Sequence, residues 1–79
     1  MIPLDAIVLS PKEVIFEGKV SSMIVPGEQG VFEILPFHKR IISRLISGTL
    51  LINGQGFPIR RGIVKVNKNR VIIILEEAS

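Results

Sequence analysis

Nucleophilic catalysis needs a nucleophile, a base that takes its proton and a third group that orients the base. In this sequence His38 is the only histidine, Asp5 the only aspartate, close to the N-terminus, and cysteine is absent. A Ser-His-Asp set could be assembled only by choosing freely among six serines. Glu13, Glu17, Glu28 and Glu33 could be paired for acid–base work, but each has the spacing of an exposed strand or turn residue. One imidazole and no thiolate are too few ligands for a structural metal. Gly54-Gln55-Gly56 and Gly27-x-x-Gly30 have the outline of phosphate cradles. Neither is followed by Lys-Ser/Thr and neither opens a helix, so turn geometry accounts for both. Basic residues cluster at Lys39-Arg40 with Arg44, and at Arg60-Arg61. A small basic β-barrel could bind nucleic acid, but single strands need aromatic faces for stacking. There are four Phe, and Phe16 and Phe32 fall inside strands, where the core is their expected place. The residues therefore predict no catalytic site, no metal and no cofactor. Nucleic-acid binding stands as the alternative to a protein-docking role.

Docking is also what composition favours. Seventy-nine residues make one domain, covering 1–79, with a poor surface-to-volume ratio and limited stability of its own. Domains of this size add disulfides, a metal or a partner. Without cysteine, the partner is the remaining option. Apolar residues make up 47% of the chain, more than a solvated monomer of this size needs to hide. The net charge of +3 is mild and suits an acidic or mixed partner surface rather than a polyanion. Met1 to Asp5 has no basic run and no apolar stretch approaches ~18 residues, so neither a signal peptide nor a membrane span is expected. The expectation is a soluble protein in a reducing compartment.

The elements that carry these residues read as strands. Ile and Val dominate the apolar set, and their branched Cβ favours extended backbone. Leu4 to Leu9 is apolar and stops at Ser10-Pro11. Val14, Phe16 and Val20 then alternate with Ile15, Glu17 and Lys19, with Gly18 suggesting a bulge or sharp corner. Met23 to Val25 ends at Pro26-Gly27, and Val31 to Leu35 returns after a glycine-bracketed turn. Ile41 to Ser47 is ambiguous, because Ile41, Ile42, Leu45 and Ile46 also fit a helical stripe. Thr49 to Ile52 and Phe57 to Arg60 flank Asn53-Gly54, a type I′ hairpin signal. Ile63 to Val66 and Val71 to Leu75 flank a second hairpin at Asn67–Arg70. The last strand is apolar throughout, so both of its faces should be covered. The prediction is all-β: about nine to ten short antiparallel strands in a small flattened sandwich or barrel. Two antiparallel sheets should pack face to face, with Val14, Phe16, Val20, Val64 and Val66 inward.

Three segments in order resemble one family. Ser10-Pro11 through Phe16-Glu17-Gly18 is similar to the "SPxxxxFxG" opening of the epsilon subunit of rotary F-type ATP synthases. Pro26-Gly27-Glu28-Gln29-Gly30, continuing to Ile34-Leu35-Pro36-Phe37-His38, resembles that family's "PGxxGxxxxLPGH" stretch. Gly62-Ile63-Val64-Lys65-Val66-Asn67-Lys68-Asn69-Arg70-Val71 resembles its "GGFLEVxxNxV" ending. The resemblance implies the family's N-terminal β-sandwich domain, with Ile41 to Ser47 extended.

It further implies a non-catalytic central-stalk subunit that links the gamma subunit to the membrane c-ring, coupling ATP synthesis to ion transport, hydrogen ion or sodium. The implied place is peripheral, on the cytoplasmic face of the bacterial cell membrane. Carried over residue by residue, the c-ring contact falls on Gly27, Glu28, Gln29, Gly30 and Val31. The gamma-subunit contact falls on His38, Lys39, Arg40, Ile41 and Ile42. Three departures stand out. Phe37 replaces the usual Gly, so a positive φ there would be strained. Lys39-Arg40 replaces Ala-Pro at the gamma contact. The sequence also lacks the C-terminal helical hairpin in which the family's ATP sensing and inhibition reside, so neither property is expected of it.

Overall fold

The computed structural model describes residues 3–76, and among them all regular structure is strand. Nine strands follow one another: β1 (Leu4–Leu9), β2 (Val14–Val20), β3 (Met23–Gly27), β4 (Gly30–Ile34), β5 (Ile41–Leu45), β6 (Gly48–Ile52), β7 (Gln55–Ile59), β8 (Gly62–Asn67) and β9 (Arg70–Leu75). The all-β expectation and the strand count hold. Ile41 to Leu45 is extended, as the resemblance implied, and its local helical stripe is overridden by a five-residue ladder with β8.

The ladders join into one continuous curled sheet, not two separate ones, in the order β2-β1-β9-β8-β5-β3-β6-β7, with β4 paired to β3. All four central residues of the two two-residue hairpin turns have the positive φ that such turns require: 51° and 84° at Asn53-Gly54, and 50° and 45° at Lys68-Asn69. One ladder departs from the antiparallel expectation. β1 and β9 run parallel, from Asp5 opposite Arg70 to Leu9 opposite Ile74. Antiparallel neighbours arise from hairpins, whereas these two strands come from opposite ends of the chain and enter the sheet from the same side.

Curling lets the two halves of the sheet close over one apolar core. Leu4, Val8, Val20, Leu45, Val64, Val66, Val71 and Ile73 meet Met23, Val25, Ile34, Leu50, Ile52 and Ile59, with no buried polar or charged residue among those described. Val20, Val64 and Val66 are inward as expected, and Phe16 packs half-buried against the core. Val14 is not inward: it is 51% exposed. The bulge responsible lies at Ile15, not Gly18. Val8 pairs with Phe16 but Leu9 pairs with Val14, so Ile15 is the extra residue and the side-chain parity inverts there. Gly18 sits in regular register opposite Ala6. The last strand also departs from expectation. Val71 and Ile73 are buried, but Ile74 is 48% exposed, because its face of the sheet is turned away from the core and no described residue covers it.

Candidate functional site

Strand β3 ends where the sheet divides. Gly27 pairs with Gly30 of β4 on one side and with Leu45 of β5 on the other. From this point β4 stays with β3, β5 follows β8, and an open groove of roughly 600 Å³ lies between them. Its walls are Gly27 to Phe32 on one side, and His38, Lys39 and Ile41 to Arg44 on the other. Two backbone bonds pin the division: the Glu28 N–H donates to the Arg44 carbonyl at 3.0 Å, and the Ile46 N–H to the Pro26 carbonyl at 2.9 Å.

The glycine at the division has a steric cause. A Cβ on Gly27 would lie 2.8 Å from both the Gly30 carbonyl oxygen and the Phe32 ring, a separation that real Cβ atoms do not adopt. Gly30, in contrast, is held by conformation: its φ is +132° and open space surrounds it. Phe32 packs partly into the core and faces the His38 ring at 6.4 Å between centroids, tilted by 38°. His38 is half-buried by this contact, and its Nδ1 lies 2.8 Å from the Lys39 carbonyl oxygen. A carbonyl oxygen only accepts, so Nδ1 carries the proton, and in the neutral ring Nε2 is an acceptor for an outside donor.

The loop before His38 is held by its neighbours. Phe37 adopts φ 69°, the left-handed conformation whose strain the sequence anticipates, and it is 74% exposed. Its N–H donates to the Asn69 side-chain oxygen at 2.6 Å, and the His38 N–H donates to the Leu35 carbonyl at 3.1 Å. Asn69 thus both forms a hairpin turn and ties down a loop far away in sequence. Asn53 repeats the arrangement, accepting from the Ser21 N–H at 2.8 Å.

The two residue sets singled out from the sequence are therefore the facing walls of one groove, apart from Arg40, which is exposed and does not line it. Val31, 72% exposed, and Ile42, 69% exposed, give it apolar lips. Phe32, Ser43 and Arg44 line the groove without having been assigned to it from sequence. Strand parity within β5 is the signal that could have placed Arg44, but it becomes legible only once the segment is known to be a strand. Among the described residues the ion pairs are Lys19–Asp5 at 2.7 Å and Arg61–Glu76 at 3.4 Å, so Lys39 and Arg44 bring uncompensated positive charge to one wall. Stacking of nucleobases finds little here: Phe16, Phe32 and Phe57 pack against the core, leaving Phe37 as the exposed ring.

Comparison with known proteins gives a consistent result. Residues 3–79 match the family described as ATP synthase, Delta/Epsilon chain, beta-sandwich domain. The ATP synthase epsilon chain of Leptospira borgpetersenii serovar Hardjo-bovis is 31% identical over 80 residues, covering 96% of this chain and 63% of that protein. The chain thus spans less than two thirds of that relative's length. The ATP synthase epsilon chain of Chlorobium limicola is 30% identical over 77 residues, covering 91% of this chain and 88% of the relative. Among solved structures, a chain of the Euglena gracilis mitochondrial ATP synthase OSCP/F1/c-ring assembly superposes with a TM-score of 0.86 at 21% identity. That match covers 98% of this chain and 52% of the other, and shows a shared fold.

Proposed function

Because this chain belongs to the β-sandwich family of ATP synthase delta/epsilon chains, we propose that it acts as a non-catalytic central-stalk subunit of a rotary ATP synthase. In this reading it joins the gamma subunit to the membrane c-ring and transmits their rotation during ion-driven ATP synthesis. It is held at the cytoplasmic face of the membrane by those partners. No helix of the described residues is long and apolar enough to cross a membrane.

The observation that carries the reading is the division of the sheet at Gly27. It makes the turn Glu28-Gln29-Gly30 and the edge residues His38, Lys39, Ile41 and Ile42 two walls of one body, tied through the Glu28–Arg44 backbone bond. A coupling adaptor needs such stiffness, since slack between its two contacts would absorb rotation instead of passing it on. The apolar lips Val31 and Ile42 supply anchors, and Lys39 and Arg44 supply the charged rim that steers association.

Site-directed cross-linking in the assembled complex tests this. Gln29→Cys is expected to link to the c-ring and His38→Cys to the gamma subunit. Links from both positions to neither partner, or from Gln29→Cys to the catalytic head alone, would remove the assignment.

A further inference from the structure

Phe37 departs from the other aromatic residues in two respects at once. Phe16, Phe32 and Phe57 pack against the core, whereas Phe37 is 74% exposed and belongs to no apolar cluster. It also holds φ 69°, a conformation in which its Cβ crowds the following carbonyl. Leu35-Pro36-Phe37-His38 is a tight turn closed by the 3.1 Å bond from the His38 N–H to the Leu35 carbonyl, with Pro36 second and the positive φ third. That is the type II pattern, whose third position suits glycine. A residue with a side chain there favours type I, in which the middle peptide is flipped and φ is negative. The flip would turn the Phe37 N–H away from Asn69, whose side-chain oxygen accepts it at 2.6 Å. Asn69 is itself fixed: it is half-buried at φ 45° in the β8–β9 hairpin, and its carbonyl accepts from the Asp5 N–H at 2.8 Å.

We propose that Phe37 is a specificity residue for the gamma subunit, its ring entering an apolar pocket of that partner, and that Asn69 is the positioning residue that holds the ring in place. The inference rests on the central-stalk reading above. The fold gains little from so exposed a ring to offset the strained backbone, so the conformation serves a contact outside the chain. Its place in the chain selects the partner. Phe37 directly precedes His38 and Lys39, which line the groove, and the same stretch carries the exposed side chains of Leu35 and Ile42. An aromatic ring on a stiff turn makes a strong anchor, because it has few torsions to freeze on docking. The Asn69 bond settles the turn before the partner arrives. Without it the flipped turn competes, and part of the binding energy goes into ordering the loop. A second copy docked ring to ring would bring the Lys39-Arg40 pairs of both chains together, like charge against like.

The experiment titrates the full chain with two gamma subunits: the cognate one, and one whose own epsilon chain carries Gly at this turn position. Phe37→Gly removes the ring and relaxes the backbone. Asn69→Gly keeps the hairpin's positive φ but removes the acceptor, and Asn69→Asp keeps both. Asn53→Gly makes the same change in the other hairpin, whose asparagine accepts from Ser21 and not from this loop. Amide hydrogen exchange at Phe37 reports the Asn69 bond directly. The expected result for Phe37→Gly is a loss of at least about tenfold for the cognate gamma subunit and no more than about twofold for the other. Asn69→Gly should lose about three- to tenfold, with faster exchange at Phe37; Asn69→Asp should restore both, and Asn53→Gly should change neither. A Phe37→Gly chain that binds the cognate gamma subunit as tightly as the original, or that weakens toward both equally, overturns the specificity role. Equal losses from Asn69→Gly and Asn53→Gly, or unchanged exchange at Phe37 in Asn69→Gly, overturn the positioning role. Sedimentation as a dimer that Phe37→Gly dissolves assigns the ring to a second copy and overturns the gamma contact. If the unaltered chain binds neither gamma subunit, the central-stalk reading falls and this inference with it; if it binds and the variants bind equally well, this inference falls alone.

Discussion

Replacing Phe37 separates the effect of backbone strain from that of side-chain contacts. At φ 69° an L-residue carries a Cβ that crowds the following carbonyl, at a cost of about 1–2 kcal/mol. The ring contributes little in return: with 74% of the residue exposed, about a quarter of the 1.5–3 kcal/mol available from full burial is realised, or roughly 0.5 kcal/mol. Phe37→Ala loses that contact and keeps the strain. Phe37→Gly loses the contact and the strain, but gives the unfolded chain more freedom, worth about 0.5–1 kcal/mol against it. The Gly variant should therefore be more stable than the Ala variant by about 0.5–1 kcal/mol, and close to the original chain. Urea unfolding with a common slope resolves that difference, and in a domain of this size it corresponds to several degrees in Tm. An Ala variant as stable as the Gly variant would show that the loop does not hold this φ in solution. The Asn69 bond to the Phe37 N–H would then not be the constraint it is taken to be.

Three other outcomes follow from the packing and the charges. Gly62→Ala would place a Cβ 2.6 Å from the Ile74 carbonyl oxygen, and should destabilise the domain by about 1–3 kcal/mol in denaturant unfolding; a change within error would contradict that contact. The Asp5 carboxyl is held below its ordinary value, first by the Lys19 hydrogen bond and then by the Lys19 charge. A depressed acid stabilises above its unfolded value and loses that effect as pH falls through its native one. Asp5→Asn should therefore flatten the pH dependence of Tm below about pH 4, modestly because both groups are exposed and less so in high salt; parallel curves would refute it. For gamma-subunit binding, Arg44→Ala should weaken affinity by about 0.5–1.5 kcal/mol at low ionic strength, with a smaller effect from Arg40→Ala. Ile42→Ala should cost about 1–2 kcal/mol with little salt dependence. If titrations at two salt concentrations show no effect of any of the three, the β5 wall is not a contact.

What the sequence made legible were features with local causes. Asn53-Gly54 announces its hairpin because positive φ is required at both positions, and the branched residues announce strands because their rotamers demand extension. Val14 was misplaced for the opposite reason. Its alternation with Phe16 is regular in sequence, and only the pairing of Leu9 with Val14 reveals that Ile15 interrupts the count. The coverage of β9 failed similarly: an all-apolar strand suggests two covered faces, but only the curl of the sheet shows that the face bearing Ile74 is turned away from the core. At the site, both walls were named from the resemblance, yet their meeting depends on Gly27 pairing in two directions, which no linear pattern encodes. Phe32 and Arg44 became visible only with that meeting.

The parallel pairing of β1 with β9 has a consequence for how the chain reaches this fold. Ala6 and Val8 gain their core-facing neighbours on that side only when Val71 and Ile73 arrive, nearly a whole chain later. Of its two neighbours, β1 has only β2 to lean on until then, and that ladder is interrupted next to its connecting turn by the extra residue. During synthesis the opening hairpin must therefore wait with one bonding edge and one apolar face unprotected. Long-range pairing of this kind makes folding slow and exposes the chain to wrong partners before the right one is available. A strand lost from the end of the chain would be felt first at its beginning.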